Sequence, residues 1–247
     1  MVSAHHTLFE EVQNQIVGNI QSGVWKQGDV LPNELELADY YHVSQGTVRR
    51  ALRELENHGV LIRRQGKGTY VASFKQNLAT LRHRMNWFLP DDPKHYDPHS
   101  RLVLFESVMP PIKIARLMKC DDVEPLFHIR RELYYGEGKT VVGFDDTYLR
   151  QRDFPGLTEE VVRQALVGGS LYILYEERYG YFISRMDDTA KAVLLNPIQA
   201  EKAGVTVPWP AISLRRLSYT LEDKLIELRY IVNVTVNQHL KLRLSAD

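Results

Sequence analysis

The stretch from Ser44 to Gly59 constrains this chain more than any other. Wound at about 100° per residue, it separates into two opposed stripes. Val48, Ala51, Leu52 and Leu55 recur at the spacing of a buried helical face, while Gly46, Arg49, Arg50 and Arg53 repeat that spacing on the other side. Ser44 is a candidate N-cap, and Gly59 supplies a left-handed stop. A domain holds the apolar stripe, so the basic stripe is left for an anionic partner. DNA phosphates and base edges meet that requirement.

The flanking segments narrow the fold. Leu8, Phe9, Val12, Ile16, Val17 and Ile20 mark an amphipathic first helix ending near Ser22-Gly23. Pro32 then breaks the chain, Asn33 can cap, and Glu36 stands three residues on, as in a capping box. A short second helix, a turn at His42-Val43 and the striped third helix make a helix-turn-helix. Beyond it, Val60 to Arg64 and Tyr70-Val71 are β-prone arms around Gln65-Gly66-Lys67-Gly68-Thr69, the hairpin of a winged helix. Glycines at that tip let backbone approach a narrow groove. A nucleotide-cradling loop is the rival reading of Gly66-Lys67-Gly68-Thr69, but the earlier glycine is missing and a strand follows rather than a helix.

Taken in order, Leu31-Pro32-Asn33-Glu34, Ser44-Gln45-Gly46-Thr47-Val48-Arg49 and Gly66-Lys67-Gly68-Thr69-Tyr70-Val71 resemble the DNA-binding domain of GntR-family bacterial transcription regulators. The candidate DNA-contacting residues are Asn33, Ser44, Gln45, Gly46, Thr47, Arg49, Arg50, Arg53, Gln65, Gly66, Lys67 and Gly68. Two departures matter. The family usually has arginine where this chain has Leu35 and Gln45, so the usual operator preference does not transfer.

Formal net charge is zero, so attraction to nucleic acid rests on local charge. Six basic residues lie between Ser44 and Lys67 against Glu54 and Glu56. Glu34, Glu36 and Asp39 form an acidic patch expected to face away from DNA. Cys120 is the only cysteine, which precludes an intrachain disulfide, and its acidic neighbours disfavour a thiolate nucleophile. With no apolar run of about 18 residues and no signal-peptide pattern, the expectation is a bacterial cytoplasmic protein, on the nucleoid when bound and without membrane contact.

Residues 1–74 are expected to form the winged helix-turn-helix domain, 75–95 a linker punctuated by Pro90 and Pro93, and 96–247 a second domain. Leu126 to Tyr135 and Thr140 to Leu149 flank one hairpin turn; Ala211 to Thr220 and Lys224 to Val236 flank another. Leu171–Tyr179 and Thr189–Leu195 read as helices. The whole is therefore α+β, the second domain an antiparallel sheet with a few helices.

The element order of 96–247 resembles the UTRA effector-binding domain of the HutC-like subgroup, whose fold is similar to chorismate lyase. That resemblance implies a small-molecule effector, a homodimer joined through the second domain and a palindromic operator. It carries over to Arg131, Asp145, Ser170, Tyr172 and Glu227; Arg229 joins them because it lies two residues from Glu227 on the same strand face. Sugar-phosphate-sensing members carry a second arginine where this chain has Leu133, and an aromatic-arginine-glycine-aspartate run where it has Asn233 to Val236. Arg130 points away from Arg131 by strand alternation. The mixed charges favour a zwitterion or a neutral nitrogenous compound, with Arg131 meeting a carboxylate and Asp145 and Glu227 accepting from an amine or hydroxyl. The alternative is an enzyme of chorismate-lyase type with an appended helix-turn-helix. Fold does not imply function, and no acid-base pair, nucleophile set, metal cluster or cofactor motif stands out; His95 and His99 are separated by a proline.

Overall fold

In the computed structural model, residues 7–72, 87–92, 94, 98–120, 124–136, 140–167, 170–220 and 222–241 are described. The chain divides into two compact units, Met1–Arg84 and Met85–Asp247.

Capping sets the frame of the first unit. Helix α1 (Leu8–Gln21) buries Val12, Ile16 and Val17. Helix α2 (Glu34–Tyr41) begins where the Asn33 side chain accepts from the Leu35 and Glu36 N–H groups, both at 3.0 Å, and Glu36 returns a carboxylate to the Asn33 N–H at 2.8 Å. His42 ends it in the left-handed conformation (φ 54°), which turns the chain at once into the Ser44 cap of helix α3 (Gln45–Asn57). Val48, Ala51, Leu52 and Leu55 are buried as their spacing requires, each large side chain contributing about 1.5–3 kcal/mol. Strands β1 (Leu61–Arg64) and β2 (Gly68–Val71) pair antiparallel from Leu61↔Val71 to Arg64↔Gly68, forming the wing.

Strand alternation organises the second unit. Strands β4 (Pro98–Val108), β5 (Leu126–Tyr135), β6 (Gly143–Arg150), β7 (Ile183–Leu194), β8 (Pro210–Thr220) and β9 (Leu225–Val234) form one antiparallel sheet in the order β4-β5-β6-β9-β8-β7. Helices α4 (Ile112–Met118) and α7 (Pro197–Lys202) pack apolar residues on one face, against Leu126 and Leu228 and against Ala211 and Val234. Helix α6 (Leu171–Tyr179) covers the opposite face, and α5 (Glu159–Val167) lies beside it.

Two expectations need correction. Thr189–Leu195 is not a helix: it belongs largely to β7, paired with β8 from Ile183↔Thr220 to Leu194↔Pro210. Alanine, lysine and leucine favour helix by only tenths of a kcal/mol per residue, which a ladder of strand hydrogen bonds overrides. The end of the expected linker is strand β3 (Trp87–Pro90), which pairs with β10 (Gln238–Lys241) inside the second unit. Burial of Phe88, 7% exposed, accounts for that. The expected turn at Gly136 to Lys139 falls largely outside the described residues, as does His95.

Candidate nucleic-acid interface and effector site

On the first unit, Gly46, Arg49, Arg50 and Arg53 are exposed along α3, and Gln65 to Gly68 are exposed on the wing. Ser44 and Thr47 are engaged with each other: the Thr47 N–H donates to Ser44 Oγ at 3.1 Å and the two hydroxyls lie 2.8 Å apart. Asn33 has its side-chain oxygen occupied by the α2 cap. Arg50 departs from the expected basic stripe, because its guanidinium stacks 3.8 Å over the Phe9 ring of α1. In the wing, Gly66 (φ 71°) and Gly68 (φ 110°) take left-handed backbone, and the Tyr70 hydroxyl donates to the Lys67 carbonyl at 3.0 Å.

Glu34 overturns the expectation that its carboxylate faces away from this surface. It accepts from Gln45 Nε2 at 3.2 Å, Arg49 Nε at 2.9 Å and Arg63 Nη2 at 3.1 Å. Burial pushes its carboxyl up, yet the two arginines outweigh that and hold it below the usual carboxylate range. Arg63, absent from the candidate residues, enters the interface through this contact. The signal in the sequence was Glu34 as first residue of the helix that packs on α3.

The second unit brings five of its six candidate residues into one buried network. Arg131 and Asp145 face each other in register on β5 and β6, with Arg131 Nη2 2.7 Å from Asp145 Oδ2 and Nε 3.4 Å from Oδ1. The Thr147 hydroxyl also donates to Asp145 at 2.8 Å, and Arg229 Nη1 lies 3.6 Å from it. Glu227, fully buried on β9, accepts from Tyr172 at 3.0 Å, Tyr175 at 2.8 Å, Ser218 at 3.0 Å and Arg229 at 2.5 Å. Arg229 also lies 4.8 Å from the Tyr172 ring centroid. Burial acts to lower the Arg229 pKa, but the Glu227 charge outweighs it and the guanidinium stays protonated. Ser170 stands apart in role: it caps α6, accepting from the Tyr172 N–H at 3.2 Å.

The acids of the network are engaged by the protein's own donors. Glu227 accepts from two protein donors on each oxygen, whereas Asp145 Oδ1 accepts from Arg131 and Thr147 and its Oδ2 from Arg131. Arg229 Nε is buried without a hydrogen-bond partner, and a guanidinium carries five N–H groups in all. Sequence reading missed Arg216 and Asp188, which form a two-pronged pair at 2.8 Å on the same face, Arg216 standing opposite Arg229 in register. The signal was there in charged residues at alternate positions of otherwise apolar strands.

The sheet's other face carries a separate polar group. His128 bridges Glu106 at 3.0 Å and Asp146 at 2.6 Å, and stacks on Tyr148. Arg130 pairs there with Asp146 at 2.8 Å, away from Arg131 as alternation requires. Among the described residues no group of histidine, cysteine and acidic side chains could hold a metal ion. Burial, and next the charge of Glu124, push the Cys120 thiol up.

A capped helix-turn-helix with a basic reading helix and a glycine-tipped wing, followed by a sheet enclosing a charged network, defines a DNA-binding transcription regulator with an effector domain. The chain belongs to the GntR family, of the HutC type: residues 8–71 match "Bacterial regulatory proteins, gntR family" and residues 94–232 match the UTRA domain. It is 25% identical over 221 residues to the "Probable fructoselysine utilization operon transcriptional repressor" of Escherichia coli K12, covering 90% of this chain and 88% of that one. It is 45% identical over 73 residues to the histidine utilization repressor of Klebsiella aerogenes, 30% of each chain. The solved ligand-binding domain of a GntR-family regulator from Bordetella bronchiseptica is 28% identical with a TM-score of 0.59, covering 64% of this chain and 96% of that one. These relatives leave the chorismate-lyase alternative without support.

Proposed function

We propose that this chain is a homodimeric repressor that holds a palindromic operator with two winged helices and releases it when a small metabolite enters the charged network of the second unit. The observation that carries the reading is the convergence of Arg131, Asp145, Tyr172, Glu227 and Arg229 below α6, with a buried guanidinium N–H lacking a partner. Such an atom costs free energy until something accepts from it. The three arginines of the network (Arg131, Arg216, Arg229) are matched by three acids (Asp145, Asp188, Glu227). A dianionic phosphate would meet those acids at close range, whereas one carboxylate suits the spare donors. The effector is therefore a small monocarboxylate with a nitrogenous or hydroxylated remainder. The protein works in the bacterial cytoplasm.

Release follows if the effector binds better to a state in which the paired winged helices no longer match the half-site spacing. Calorimetry of the full chain against monocarboxylate amino-acid catabolites and against hexosamine phosphates tests the ligand class. Binding of a monocarboxylate that is lost in Arg131→Ala supports the reading. Tight binding of a hexosamine phosphate would overturn it. Light scattering tests the assembly: a monomer at micromolar concentration, with and without the promoter DNA of its own gene, would exclude the dimer.

A further inference from the structure

Glu34 brings together three elements of the DNA-reading surface through one carboxylate. It stands at the start of α2 and receives Gln45 and Arg49 from α3 and Arg63 from the wing strand β1. Its side chain is 14% exposed, against 52% for Arg49 and 58% for Arg63, so the acid sits beneath the two cations.

The chemistry of each contact fixes what remains for DNA. A carboxylate only accepts, so Glu34 can hold Gln45 solely by its NH₂ group. That removes the two-fold ambiguity of the amide and leaves one N–H and the carbonyl oxygen, the pair that recognises the N7 and N6 edge of adenine. Arg49 is held by Nε, which leaves its terminal fork free of Glu34, as bidentate contact with guanine O6 and N7 requires. Arg63 is held by one terminal nitrogen, which ties the wing's first strand to the register of the recognition helix. With α3 seated in DNA, the carboxylate would also bring a negative charge toward the phosphates and partly offset Arg49 and Arg63, which opposes binding that does not use base edges.

We propose that Glu34 is a positioning residue for sequence readout: it orients Gln45, Arg49 and Arg63 and lowers affinity for non-cognate DNA, so that it contributes to discrimination rather than to total affinity. The inference rests on the DNA-contacting roles of Gln45 and Arg49, but its failure is distinguishable from theirs. If α3 did not read DNA, Arg49→Ala would leave operator binding unchanged. If only the Glu34 role were wrong, Arg49→Ala would still weaken operator binding.

The test uses the full chain. Selection from randomised duplexes with the wild-type protein defines a bound sequence, and fluorescence anisotropy at fixed salt compares that duplex with a scrambled one. Glu34→Gln keeps the side-chain size and removes the charge. It should bind scrambled DNA more tightly than wild type and reduce the ratio of selected to scrambled affinity by roughly tenfold, the discrimination associated with one base contact. Repeating the selection with Glu34→Gln should relax preference at the positions read by Gln45 and Arg49. Arg63→Ala, an exposed change that leaves the core intact, should reduce the ratio in the same direction by a smaller factor. An unchanged ratio in Glu34→Gln would overturn the proposal. So would equal loss of affinity for both duplexes, or loss of preference at one position only, which would make Glu34 a direct base contact.

Discussion

Replacement of Glu227 by alanine should be the most damaging polar-to-apolar change in the second unit. The carboxylate is fully buried and is the meeting point of four donors: Tyr172, Tyr175, Ser218 and Arg229. Without it, the ion pair left to Arg229 is the longer one to Asp145 at 3.6 Å, beside its contact with the Tyr172 ring. Removing one partner of a buried ion pair costs about 3–5 kcal/mol, and an orphaned buried hydroxyl about 1–3 kcal/mol. These do not add fully, because neighbouring groups share the relaxation, so a loss of about 4 kcal/mol is the conservative expectation. A domain of this size shifts by about 2–4 °C per kcal/mol, which puts the melting transition of the second unit about 8–16 °C lower. Differential scanning calorimetry of the full chain reads this directly. Tyr172→Phe, which removes one donor and leaves the ion pair, should cost only about 1 kcal/mol. A shift below about 3 °C for Glu227→Ala, or equal shifts for the two variants, would refute the view that the carboxylate holds the network together.

Arg49→Ala should cost about 1–3 kcal/mol of operator binding and relax preference at one base pair per half-site, as anisotropy and repeat selection would show. Gly66→Val places a β-branched side chain at φ 71°, where no neighbouring atom blocks it but the backbone resists; operator affinity should fall while effector binding is unchanged, and loss of both would indicate misfolding. Glu176, buried on α6, has its carboxyl pushed by burial, with a further push from Glu177, up to about 8. The folded state then holds a proton that the unfolded chain releases near the ordinary value of 4.5, so stability contributed by this group falls as pH rises from there to about 8. Urea unfolding across that range should show a pH slope in wild type that Glu176→Gln reduces; an identical slope in both would exclude it.

The reading helix was legible because its two stripes are a local property: burial and charge repeat with one period, and Ser44 and Gly59 mark its ends. The hairpins of β5–β6 and β8–β9 were legible for a related reason, alternation between short turns. Thr189–Leu195 was not, because edge-strand pairing with β8 is a tertiary fact and the residues themselves favour helix. The orientation of Glu34 was not legible either, because an acidic patch along the sequence does not show its partners. Arg63, 29 positions away, reverses its meaning. Arg131 and Asp145 were legible as members of adjacent hairpin arms, whereas their pairing with each other and the saturation of Glu227 were not. Tyr175 comes from α6, 52 residues distant, and no pattern on β9 announces it.

The β3–β10 ribbon makes the order of synthesis matter. Asp91 and His239 meet across 148 positions, and the Asp91 N–H donates to the Asn237 carbonyl. Contacts so distant in sequence close late. Every residue from α1 to β2 has left the peptidyl-transfer centre about 10–30 s before Gln238 is added, at a bacterial elongation rate of about 5–20 residues per second. For that interval the nascent chain carries every residue of the winged helix, while β3, once made, lacks its mate. A stop codon anywhere between Asp91 and Gln238 makes the interval permanent: the DNA-reading unit is whole, and β3 has nothing to pair with.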